Sequence, residues 1–77
     1  QVTEQVKKLI ECLKGKTLSK KEILENLNLK HRQTLEQDYI TPALELDFVE
    51  MTQPDSPRSP TQKYRLTENG IEYIKRS

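Results

Sequence analysis

The chain has no tryptophan, one phenylalanine, one cysteine, one histidine and two glycines in 77 residues. Each shortage closes a route. With so few large aromatics, the core must be built from aliphatic side chains. At this length only about 60% of the chain's surface is buried on folding, so one thin core and one domain are the ceiling. A pocket deep enough for a cofactor would consume that core, which disfavours an enzyme and leaves no cofactor to expect. A single cysteine, Cys12, excludes an internal disulfide and fits a reducing compartment. One histidine and one cysteine do not make the clustered ligand set of a metal site. His31 as a catalytic base has no orienting third group beside it in sequence, so no catalytic residue is assigned. No apolar run approaches the roughly 18 residues of a membrane span, and no signal peptide stands before the first helical stripe. The expectation is a cytoplasmic module without membrane contact. It begins with Gln1 rather than Met, as a piece of a larger protein would.

Charge of one sign is also lacking. Thirteen Lys and Arg face twelve Asp and Glu for a net +1. The pI is about 8.0 and the mean hydropathy -0.87. A nucleic-acid-binding domain usually has a pI above about 9, so any basic surface here must come from local clustering.

What is present is helical periodicity. Val2, Val6, Leu9, Ile10 and Leu13 share one helical face, with Thr3 placed to cap it and Gly15 to close it. That predicts a first helix over 1–14. "SKKE" is a capping box, Ser19 as N-cap and Glu22 at N3, opening a second helix over 19–28 whose buried face is Ile23, Leu24 and Leu27. Between them, Lys16-Thr17-Leu18 reads as a stub of strand. After a short turn a third helix covers 31–46, with Leu35, Tyr39, Ile40, Ala43, Leu44 and Leu46 facing in. Gln33, Thr34, Gln37, Asp38 and Thr41 face out. Pro42 interrupts this helix. It has no N–H, and its ring crowds the carbonyl of Asp38. Two readings stand: Pro42 opens a separate second piece at an N1-type position, or it kinks one continuous helix.

Beyond Leu46 the period changes. "FVEMT" and "QKYRL" alternate as strands do, predicting a hairpin over 48–66 whose tip, 53–61, is rich in Pro and Ser and holds no apolar residue. The tip is expected to be mobile. "SPRSP" (56–60) reads as a solvated turn sooner than as a modification site. "LTENG" caps a C-terminal helix over 68–76, with Ile71, Tyr73 and Ile74 available for docking. No internal repeat is evident. The order is that of an α+β, mainly α, winged helix-turn-helix spanning 1–77.

The stretch "YITPALELDFVEMTQPDSPRSPTQKYRLTENG" resembles the C-terminal winged-helix domain of bacterial proteins grouped as RecG-related ATP-dependent DNA helicases. A similar tail occurs on some Fic-type nucleotidyl transferases. The resemblance extends over residues 29–70 and departs at Asp47, where glycine is common. It implies an appended domain of a larger bacterial regulator or helicase-like protein. The chain carries no Walker A loop and no DEAD-type acidic box, so any chemistry of the parent lies elsewhere.

For function, the helix-turn-helix geometry turns the start of the second helix toward phosphate and the head of the third into the major groove. The residues so placed are Lys20, Lys21, Lys30, His31 and Arg32, with Arg58 at the wing tip. Gln33, Thr34 and Gln37 are types that read base edges. Glu36, Asp38 and Glu45 oppose phosphate in the same helix, so contact with double-stranded DNA is expected to be weak alone. The rival reading is a protein-interaction or dimerisation module. Its partners would be other domains of the parent protein or a second copy of the chain.

Overall fold

A computed structural model describes residues 2–76. Four helices and one two-stranded hairpin are arranged as a winged helix. The first helix, Glu4–Cys12, is capped by the Thr3 hydroxyl, which accepts from the Val6 N–H at 3.2 Å. It is shorter than 1–14. Leu13 is its C-cap, and Gly15 takes its left-handed conformation (φ +68°) one residue later than a C′ glycine would. The second helix, Lys20–Asn26, has both arms of the expected capping box. It ends in a Schellman turn around Asn28 (φ 56°): the N–H groups of Asn28 and Leu29 bond the carbonyls of Glu25 and Leu24.

The third helix puts Pro42 at the N1-type start of a second α-helical piece, as the first of the two readings has it, but reaches that piece through a π-turn instead of a break. Its backbone stays helical from Arg32 to Glu45, but the hydrogen-bond register changes twice. Arg32–Thr34 and Thr41–Glu45 are α-helical; Leu35–Ile40 between them is π-helical. The Thr41 N–H reaches back five residues to the carbonyl of Glu36. The extra residue in the turn delivers Pro42 to the first positions of a new α-helical segment, where its missing N–H costs little. Asp47 (φ 62°) then ends the helix in a second Schellman turn, with Asp47 and Phe48 N–H groups on the Leu44 and Ala43 carbonyls. An aspartate takes the left-handed position that glycine usually fills, at modest strain.

Strands β1 (Val49–Met51) and β2 (Tyr64–Leu66) pair antiparallel, with Val49 opposite Leu66 and Met51 opposite Tyr64. Both are shorter than the hairpin arms read from sequence. The stub at Leu18 bonds the far side of Tyr64 in both directions, at 3.0 and 2.7 Å. Tyr64 is thereby fixed between two neighbours, and burial pushes its phenol up.

The core is one cluster: Val6, Leu9, Ile10 and Leu13 from the first helix, Ile23 from the second, Leu35, Tyr39, Ile40 and Ala43 from the third, and Val49 and Tyr64 from the hairpin. Leu44 and Leu46, expected inside, are half-buried. The π-turn rotates the last segment relative to the first, so a stripe drawn with a single helical period drifts outward after Ile40.

The C-terminal helix, Glu68–Arg76, is tied to the exit of the third. Thr67 caps it through the Gly70 N–H and donates to the Asp47 carbonyl, and Asn69 donates to the Asp47 carboxylate at 2.8 Å. Tyr73 packs on Phe48 with ring centroids 5.3 Å apart. Ile71, expected to dock, is instead 44% exposed. The reason lies at Gly70. A Cβ there would stand 2.3 Å from the Phe48 carbonyl oxygen, so this residue must be the point of closest approach. Tyr73 and Ile74, three and four residues on, then face inward, and Ile71 does not. Gly70→Ala is expected to destabilise the fold by about 1–3 kcal/mol, because the obstacle is backbone and the helix must lift away. Chemical denaturation measures it; an unchanged midpoint would show that the helix is not seated on Phe48.

Candidate nucleic-acid interface

Between the start of the second helix, the third helix and the wing runs a surface groove. Its walls carry Lys20, Lys21, Arg32 and Arg58, with Glu36 as the single carboxylate. Its floor is less polar, formed by Ile40, Leu44, Met51, Tyr64, Pro57 and Pro60. Four of the nine residues read from sequence as DNA-facing therefore meet in one place, delivered by three separate elements. Lys30, His31, Gln33 and Gln37 are exposed and Thr34 half-buried around the head of the third helix, but they do not line this groove.

Lys20 is not available as a free cation. Its ammonium is paired to the Glu36 carboxylate across the groove, with 28% and 48% of the two side chains exposed. An ion pair this accessible stabilises by no more than about 1 kcal/mol, yet it removes one positive charge from the surface. Lys21, Arg32 and Arg58 have no such partner among the described residues. Asp38 is exposed on the third helix. The N-terminus of the second helix is also less open to phosphate than expected. The Glu22 N–H is bound by the Ser19 hydroxyl, and the Glu22 carboxylate accepts from the Ser19 N–H at 2.9 Å. That bond holds the Glu22 carboxyl below its usual range and leaves a negative charge at the helix start. The third helix differs, since His31 makes no side-chain cap.

The pairing of Glu36 with Lys20 and the burial of Gln62 escaped the sequence reading. Glu36 is sixteen residues from Lys20, a separation no local pattern connects. Gln62 is 5% exposed beneath the wing. The signal for it was there: 62 and 64 share one side of an alternating strand, and Tyr64 points inward. Cys12 is half-buried; burial pushes its thiol up, with Lys16 opposing. It reads as packing, not as a nucleophile. Among the described residues there is no cluster of metal-ligating side chains and no helix long and apolar enough to cross a membrane.

Comparison with known proteins places this geometry in a family. Residues 4–67 match the model of the "Filamentation induced by cAMP protein Fic-like, C-terminal domain". Among solved structures, a crystal structure of a Fic family protein from Desulfovibrio desulfuricans G20 matches with a TM-score of 0.83 and 51% sequence identity over 88% of this chain. The chain spans 21% of that protein's length. No curated protein matches significantly. Of the two resemblances carried by residues 29–70, these relatives support the Fic-type tail and supply nothing for a RecG-related origin.

Proposed function

Since the chain belongs to the family of Fic-like C-terminal domains, a non-catalytic part of Fic proteins, we propose that it is an accessory module of a larger bacterial Fic protein and contacts double-stranded DNA through the groove between the third helix and the wing. The observation that carries this reading is the convergence of Lys21, Arg32 and Arg58 on one groove from the second helix, the third helix and the wing. Gln33, Thr34 and Gln37 stand beside it as the residues that meet base edges. Lys30 and His31, exposed just before the third helix, would add phosphate contacts.

Three unpaired cations neutralise about three phosphates, which gives a salt slope near −3 and weak binding at physiological salt. Glu36 sets that limit by holding Lys20. Glu36→Gln should release Lys20, steepen the slope by about 1 and tighten retention on a random duplex about tenfold at low salt. Fluorescence anisotropy across a salt series measures this. Unchanged retention in the variant, or none in either protein at low salt, would contradict the DNA reading.

A second reading has its own support in the apolar floor. Met51, Leu44 and Pro57 are of little use to a phosphate backbone, whereas a protein segment buries against such residues. Another domain of the parent protein, or a second copy of this chain, would then occupy the groove, and releasing Lys20 would bring no gain on DNA.

A further inference from the structure

We propose that the wing is a preformed element, three consecutive proline turns closed by the buried amide of Gln62, and that Gln62 is the positioning residue holding Arg58 over the groove. The sequence reading makes 53–61 a mobile tip and finds no repeat in the chain. It contains one: Gln53-Pro54-Asp55, Ser56-Pro57-Arg58 and Ser59-Pro60-Thr61, each a polar residue followed by proline. The backbone follows the same period. The N–H of Ser56 bonds the Gln53 carbonyl, that of Ser59 the Ser56 carbonyl, and that of Gln62 the Ser59 carbonyl, each at 3.0 Å. These are three β-turns sharing their corner residues, with a proline at the second position of every one. Proline's fixed φ suits that position, so the unfolded loop already favours the bends it needs.

Gln62 closes the series. Its side-chain oxygen accepts from the Gln53 N–H at 2.9 Å and the Thr52 hydroxyl at 3.5 Å. Its amide nitrogen donates to the Ser56 carbonyl at 3.0 Å and to the Gln53 carbonyl. One side chain thus binds the first turn at both ends and the start of the second. A buried amide so fully partnered resists replacement, because each lost bond leaves a polar group unsatisfied. Arg58 occupies the third position of the middle turn. The turn on either side is bonded into the chain, so the backbone that carries Arg58 at the groove is ordered before anything binds.

The consequence for DNA rests on the reading proposed above; the ordering of the wing does not, and the two are measured separately. In the 77-residue chain, the 15N heteronuclear NOE of Asp55, Ser56, Arg58, Ser59 and Thr61 should match that of the helices. Gln62→Ala should lower it in the wing alone. Pro57→Gly, which leaves the Gln62 bonds and the core in place, should lower it at Ser56–Ser59. Wing values already low in the unsubstituted chain, or unmoved by both substitutions, would overturn the proposal whether or not DNA is bound. In the binding arm, Gln62→Ala and Arg58→Ala should each reduce the salt slope by about 1, and the double variant should lose no more than either. Fully additive losses would show that Gln62 does not act through Arg58 and would overturn its positioning role. An ordered, Gln62-dependent wing on a chain that no duplex retains would support the element and sink the DNA reading alone.

Discussion

Leu35→Ala is expected to remove about 2–5 kcal/mol of stability. Leu35 is fully buried at the start of the π-turn and belongs to the same cluster as Leu9, Ile10 and Ile23. A domain of 77 residues has about 4–12 kcal/mol in total, at roughly 0.05–0.15 kcal/mol per residue. The substitution therefore brings the protein close to its threshold, and part of the population should be unfolded at 37 °C. Thr34→Ala, one position earlier and half-buried, should change stability by no more than about 0.5 kcal/mol. Leu44→Ala should fall between them, since Leu44 is half-buried and lines the groove instead of the centre of the core. Urea midpoints at constant slope measure the order. A larger loss at Thr34 than at Leu35 would mean that the helix is rotated from the orientation described.

Arg32→Glu should weaken retention on duplex DNA by roughly a hundredfold at low salt. It deletes one phosphate contact and adds a repelling charge, and each unit of charge is worth about tenfold near 50 mM salt. Arg32 has no ion-pair partner among the described residues, so the change does not act by breaking an internal bridge. Asp38→Asn should move binding the opposite way, by up to about tenfold, because it removes an exposed carboxylate from the helix that carries Arg32. A protein-docking surface has no reason to show this opposed pair on DNA. Neither substitution touches a buried residue, so circular dichroism should report an unchanged fold in both.

The architecture was legible because its local signals agree with each other. The Thr3 cap, the Ser19–Glu22 box and the Thr67 cap mark three helix starts correctly. The switch from helical to alternating spacing after Leu46 places the hairpin. Boundaries ran long because capping residues and terminal turns share the composition of the helices they flank. At Pro42 the N1-type start was legible but the π-turn that leads into it was not, because such a turn is a matter of register and leaves no residue type as its mark. The groove was half legible. Lys20, Lys21, Arg32 and Arg58 could be assigned to it by topology, whereas the Lys20–Glu36 pair depends on the angle between two helices. Gln62 was legible as the first residue of a strand but not as the closure of the wing. Its bonds run to Gln53 and Ser56, in a segment whose Pro- and Ser-rich composition reads as a solvated loop when counted, and as a turn series only when its spacing of three is noticed.

The most direct test of the groove as a DNA-contacting surface is an NMR titration of the 15N-labelled chain with a short random duplex at low salt. Fast-exchange shifts should concentrate at Lys20, Lys21, Arg32 to Gln37 and Arg58, with Lys16, Thr17 and Ile71, which line a separate depression, unmoved. No shifts at all, or shifts centred on Lys16, Thr17 and Ile71, would contradict the groove as the DNA-contacting surface.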